Sequence, residues 1–177
     1  YITTNTFRTT PRAYQKLGLS KKESEFIAEA SLSSALSIAN DAAKDQVKVL
    51  GSIAPLEDCY RPELFPGEKD ARKEFKQLGK WMYQKGIDVF LLETMNNLEE
   101  TNICIDSIKE HKTPIWVSFV LKDEEHILSG ESLKDVMKML KEHNIKHLLL
   151  NCNPLGKTNK AIDVLANHWN WKWGIYP

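Results

Sequence analysis

Two hydrophobic periods alternate along this chain. Short β-branched or apolar runs stand at Val47–Ile53, Ile87–Glu93, Pro114–Val120, Lys146–Asn151 and Trp173–Tyr176, and a shorter one ends at Thr6. Between them, apolar positions recur at i, i+3, i+4 and i+7. Phe75, Leu78, Gly79 and Met82 form one such set, Leu133, Val136, Met137 and Leu140 a second, and Ile162, Leu165, Ala166 and Trp169 a third. That spacing places each set on one face of a helix. Ser20 with Glu23 reads as a capping box opening a helix of about Ser20–Lys44. Asn96 with Glu99 predicts the same start for a helix to about His111, and Ser132 with Asp135 is a weaker version of it. Gly86 stands where a helix should stop before the strand at Ile87.

Strand–helix alternation over the whole length predicts an α/β fold of parallel strands joined by crossover helices. A doubly wound open sheet and a (β/α)8 barrel both satisfy the pattern. No Gly-x-Gly-x-x-Gly turn follows any strand, which removes the usual dinucleotide signature. Polar groups do recur at the carboxyl ends of successive strands: Thr4-Asn5-Thr6, Gly51-Ser52, Glu93-Thr94, Ser118 and Asn151-Cys152. In a barrel all of these ends converge on one face, whereas an open sheet needs them only near its switch point. The barrel is therefore the preferred reading. About six strands can be placed, and a barrel closes with eight over roughly 250 residues. Residues 1–177 thus read as a single, incomplete TIM-barrel-type domain. The first residue is Tyr1, so the chain reads as processed or as a piece of something longer.

Composition narrows the function classes. Lys+Arg and Asp+Glu both number 24, for a net charge of 0, and a nucleic-acid binder would normally carry a basic excess. Hydrophobic residues at 42% and charged residues at 27% are an ordinary globular balance. The longest nearly apolar stretches run to about six residues where a bilayer span needs about 20, so no membrane segment is expected. Three cysteines, Cys59, Cys104 and Cys152, are too few for a disulfide scaffold and point to a reducing, cytoplasmic setting.

Two residues carry the candidate chemistry. Cys152 ends a near-continuous apolar run; a thiol at a barrel mouth can hold a soft metal or act as a nucleophile, although free cysteines are more often simply packed. Glu93 closes its strand with a carboxylate able to hold an ammonium group or do acid–base work, and a solvated strand-end acid is the plainer alternative. Ser52 and Ser118 can offer hydroxyl and backbone contacts to a ligand carboxylate, or be ordinary turn residues. The Trp169, Trp171 and Trp173 cluster reads as packing. His143 and His147 straddle a turn at Asn144, which makes a metal pair on one helix improbable.

Seven blocks in order then resemble the homocysteine S-methyltransferase family. They are Thr4-Asn5-Thr6-Phe7, Gly51-Ser52-Ile53-Ala54-Pro55, Asp58-Cys59-Tyr60-Arg61-Pro62, Gly86-Ile87-Asp88 with Leu91-Leu92-Glu93-Thr94, Val117-Ser118-Phe119, Asn151-Cys152-Asn153 and Tyr176-Pro177. The resemblance implies a barrel with zinc at its carboxyl-end face, held by three cysteines. The first matches Cys152, after Asn151; the other two belong to a later Gly-Gly-Cys-Cys segment, and neither Cys59 nor Cys104 matches them. It also implies that Glu93 binds the homocysteine amino group, with Ser52, Ser118 and Asn151 nearby. Zinc would lower the thiol pKa so that a thiolate attacks a methyl group on a small donor, yielding methionine. With one ligand of three, the isolated chain is expected to be inactive. The alternative is a shortened, non-catalytic relative that binds an amino acid or forms a homo-oligomer through open sheet edges.

Overall fold

The computed structural model describes residues 1–44 and 46–176. Six strands, β1 (Ile2–Thr3), β2 (Val49–Ile53), β3 (Val89–Met95), β4 (Ile115–Phe119), β5 (His147–Asn151) and β6 (Lys172–Tyr176), form one sheet. Every neighbouring pair is parallel and the spatial order is the chain order. A doubly wound sheet reverses direction at its switch point; this one never does, so the architecture is a partial (β/α) barrel. The curl is visible in one contact. Tyr1, just before β1, and Trp116 on β4 lie three strand spacings apart, which is roughly 14 Å in a flat sheet, yet their rings stand 4.8 Å apart.

The helices are α1 (Pro11–Gln15), α2 (Lys21–Ala43), α3 (Glu68–Gln84), α4 (Leu98–Ile108), α5 (Leu133–Glu142) and α6 (Leu155–His168). None is long and apolar enough to cross a membrane, among the described residues. The capping boxes expected at Ser20 and Ser132 are both formed. The third start shifts by one residue: Asn97 caps α4 by accepting from the Glu100 amide, and Asn96 is used elsewhere. The sixth helix also buries a different stripe from the one expected. Thr158, Ala161, Leu165 and the following Trp169 face inward, while Ala166 is exposed. Trp169 and Trp171 pack edge to face as foreseen, but Trp173 on the last strand is 40% exposed. Of the Tyr176-Pro177 block, Pro177 lies outside the described residues.

Side-chain alternation along the strands separates two faces. The outer face carries Phe90, Leu92, Val117, Phe119, Leu148 and Leu150, all fully buried beneath α3 to α6. Phe75 and Met82 of α3 and Ile105 and Ile108 of α4 join that core. Gly79 allows α3 and α4 to touch, since a Cβ there would stand 2.6 Å from Ile108 Cγ2. The inner face is graded. Trp116 and His147 stack at the amino end of the strands, Leu50, Leu91 and Leu149 follow, and the carboxyl end is polar.

Candidate functional site

Polar side chains of four neighbouring strands meet at the carboxyl end of the inner face. Ser52 at the end of β2 is fully buried and donates its hydroxyl to Glu93 Oε2 on β3 at 2.6 Å. The Ser52 backbone is itself clamped from the first strand. Its N–H donates to Thr4 Oγ1 at 3.0 Å, and its carbonyl accepts from Thr6 Oγ1 at 2.7 Å. Glu93 is half-buried and forms no ion pair among the described residues. A carboxylate withdrawn from water with no cation beside it favours a cationic ligand group.

A second cluster adjoins it. Ser118 on β4 donates to Asn151 Oδ1 on β5 at 2.6 Å, and Asn151 Nδ2 donates to Thr94 Oγ1 at 2.7 Å. Both amide atoms of Asn151 are thus satisfied by hydroxyl partners. The same Nδ2 lies 3.3 Å from Cys152 Sγ, which it can also serve as donor. Thr94 and Cys152 have φ of +58° and +54°, in the left-handed region that a β-branched threonine rarely enters. Thr94 sits in the irregular stretch of β3 between Leu92 and Met95, and this turn of the chain is what presents Thr94 to Asn151. Cys152 is exposed, whereas Cys59 and Cys104 are buried, and all three thiols are free.

Two tyrosines complete the surroundings. Tyr176 pairs with Asn151 across β5 and β6, so it projects to the same face. Burial holds its phenol well above the ordinary range and the Glu93 charge adds to this, while a hydrogen bond with Ser118 opposes them. Tyr176 is therefore a hydrogen-bond donor at any physiological pH. Tyr60 lies on the loop after β2, and its pKa is raised by burial first and then by the neighbouring Cys152 sulfur. Burial likewise raises the Cys59 thiol, with Arg8 opposing.

The strand-end residues foreseen from the sequence are thus brought together in two bonded pairs, Ser52 with Glu93 and Ser118 with Asn151, with Cys152 beside the second. Tyr60, Tyr176 and Asn153 stand in the blocks that carry the family resemblance, but the sequence reading assigns them no role. Tyr176 obeys the same strand-end rule as the others and could have been found by it. Tyr60 and Asn153 belong to loops, and apart from those blocks no hydrophobic period or strand-end rule marks them. A groove of about 840 Å³ lies elsewhere, between β1 and α2 along Thr4, Arg8, Ala35 and Ile38. It flanks the first strand of the open half-barrel and contains neither Glu93 nor Cys152.

A metal fits this set of residues only in part. No group of three His, Cys, Asp or Glu side chains able to hold an ion occurs among the described residues. Cys152 offers one exposed thiol, and a catalytic zinc takes three protein ligands. The described residues do not by themselves form a zinc centre.

Comparison with known proteins gives a consistent picture. The profile of the homocysteine S-methyltransferase family matches residues 1–177. Homocysteine S-methyltransferase YbgG of Bacillus subtilis is 33% identical over 100 residues, covering 55% of this chain and 32% of its own. Homocysteine S-methyltransferase 1 of Arabidopsis thaliana is 26% identical over 174 residues, covering 86% and 53%. Among solved structures, the metallated form of the homocysteine methyltransferase MmuM from Escherichia coli superposes with a TM-score of 0.88 at 22% identity, over 99% of this chain and 65% of that one. The chain spans less than two thirds of the length of each of these proteins.

Proposed function

The chain belongs to the homocysteine S-methyltransferase family, and from that premise we propose that its inner carboxyl-end face is part of a site for methyl transfer to the thiol of homocysteine, giving methionine. The observation that carries the reading is the half-buried, unpaired Glu93 carboxylate, pre-oriented by Ser52 one strand away. It receives the substrate's ammonium group. Ser52 sets the direction of that carboxylate, and Ser118 and Asn151 line the path from it to Cys152. Tyr176 closes the same wall as a permanent donor. Residues 1–177 act as one incomplete barrel domain.

Cys152 is one thiolate ligand of a zinc ion in this reading. The metallated form of MmuM supports a metal in relatives. The described residues supply no other ligand to it, so no step is assigned to the metal here. These 177 residues alone should therefore release no methionine from homocysteine and a small methyl donor. Three free thiols support a reducing, cytoplasmic setting.

Calorimetric titration with L-homocysteine tests the reading. The wild-type chain should bind, and Glu93→Gln should weaken binding by about tenfold or more, the usual range for loss of a hydrogen bond to a charged group. Equal affinities would remove Glu93 from the site.

One observation favours a second reading, an oligomerising module. On the outer face of β6, Trp173 and Ile175 are 40% and 37% exposed, and β6 has a free edge among the described strands. Sedimentation equilibrium separates the two. A monomer at micromolar concentration removes the edge-pairing reading.

A further inference from the structure

Asn96 was expected to cap α4, and the structure gives it a different task. It is 1% exposed and lies three residues after Glu93. Its Nδ2 donates to two carbonyls of the loop after β2, Cys59 O at 2.9 Å and Asp58 O at 3.3 Å. Its backbone carbonyl accepts from Ser129 N at 2.9 Å, in the loop after β4. One residue therefore joins three successive loops of the carboxyl-end face. The loop it holds is turned tightly at the same place, Tyr60 N donating to Asp58 Oδ1 at 2.9 Å. A parallel arrangement continues the ring: Asn153, next to Cys152, accepts from Leu121 N at 2.6 Å and donates to Asn151 O at 2.7 Å.

We propose that Asn96 is a positioning residue that holds the tip of the β2–α3 loop, at Asp58 and Cys59, in place on the carboxyl-end face. The inference rests on the reading of Cys152 and Glu93 as the working face, and it names what fixes that face's covering loop. Two carbonyls taken from one amide make the orientation of Asn96 unambiguous. An aspartate at this position would set a second carboxylate oxygen against carbonyl oxygens, at the same volume. Glu100 adds a separate tie, accepting from Leu56 N at 2.8 Å, so the loop has a fixed root and its tip depends on Asn96.

The cysteines supply the test. Cys59 is in the held loop and 7% exposed, Cys104 is in the core at 0%, and Cys152 is exposed. The full chain is alkylated with iodoacetamide under native conditions and each cysteine is quantified by peptide mass spectrometry. In the wild-type chain Cys152 should react first. In Asn96→Asp and Asn96→Ala, Cys59 should react faster by about tenfold or more, as expected when a local opening loses two hydrogen bonds. Cys104 should keep its wild-type rate, which a general loss of stability would not allow. The proposal is overturned if Cys59 stays as slow as in the wild type. It is equally overturned if Cys59 and Cys104 accelerate together in both variants, because Asn96 would then only stabilise the fold. Homocysteine is absent from the experiment, so its result stands or falls apart from the substrate assignment.

Discussion

Ser52 and Glu93, 41 positions apart in the chain, are joined by a 2.6 Å hydrogen bond between the ends of adjacent strands. The serine is fully buried and its backbone is bonded on both sides to Thr4 and Thr6, so it has little freedom to turn away. The carboxylate is therefore held in one direction before any ligand arrives. Preorganisation of this kind lowers the ordering entropy lost on binding.

Removing the serine hydroxyl should leave the charge of Glu93 in place but free its rotation. Ser52→Ala is expected to weaken homocysteine binding by about fivefold, corresponding to the roughly 1 kcal/mol of an ordinary hydrogen bond. The loss should be smaller than that of Glu93→Gln. Titration calorimetry on the two variants checks the ranking, and a larger loss for Ser52→Ala would reverse the roles.

Glu100 should make stability depend on pH. It is 2% exposed, and burial lifts its carboxyl from 4.5 to about 7. The Leu56 amide opposes this, Glu57 reinforces it, Arg12 opposes and Glu74 reinforces. The folded-state pKa lies above the unfolded one, so folding takes up a proton between the two values. The contribution of Glu100 is most favourable below about pH 4.5, falls as pH rises to about 7, and is flat above. Its size is on the order of 3 kcal/mol. Glu100→Gln keeps an acceptor for Leu56 and loses the charge. Urea midpoints measured from pH 4.5 to 8 should show a flatter profile for the variant and a higher midpoint at pH 8. Parallel profiles would remove Glu100 as the cause.

Gly79 pits helix propensity against packing. Alanine is favoured over glycine inside a helix by about 1 kcal/mol. The added Cβ would meet Ile108 Cγ2 at 2.6 Å, and overpacking typically costs about 1–3 kcal/mol. Gly79→Ala should therefore lower the thermal midpoint. A rise would mean that α3 and α4 separate without penalty.

The two edge strands should be the least protected. β1 is only Ile2–Thr3 and pairs on one side, and β6 is exposed at most positions. In native-state hydrogen exchange their amides should exchange well before those of Phe90–Leu92 and Val117–Phe119. Equal protection would show that another surface covers the edges.

Much of this architecture is written in local periodicity. The apolar runs marked all six strands, and the polar residues ending them marked Ser52, Glu93, Ser118, Asn151 and Cys152. The barrel preference came from the same ends, and the monotonic strand order upholds it. Three features were not legible, for one physical reason: they are set by partners distant in the chain. The β3 irregularity that carries Thr94 to φ +58° answers to Asn151, 57 positions on. Asn96 gives up the cap to Asn97 because Cys59, 37 positions back, takes its amide. Burial of Thr158 and exposure of Ala166 on α6 reflect how the helix is rotated on the sheet, which a helical repeat alone does not specify.

The most direct measurement compares L-homocysteine with 4-mercaptobutanoate, which lacks only the amino group, in titrations followed by backbone amide spectra. Homocysteine should shift the amides around Ser52, Glu93 and Asn151, the deamino analogue should not, and Glu93→Gln should erase the difference. If both thiols bind alike, or if the shifts fall in the groove between β1 and α2, Glu93 does not receive the ammonium group and the assignment of this face is wrong.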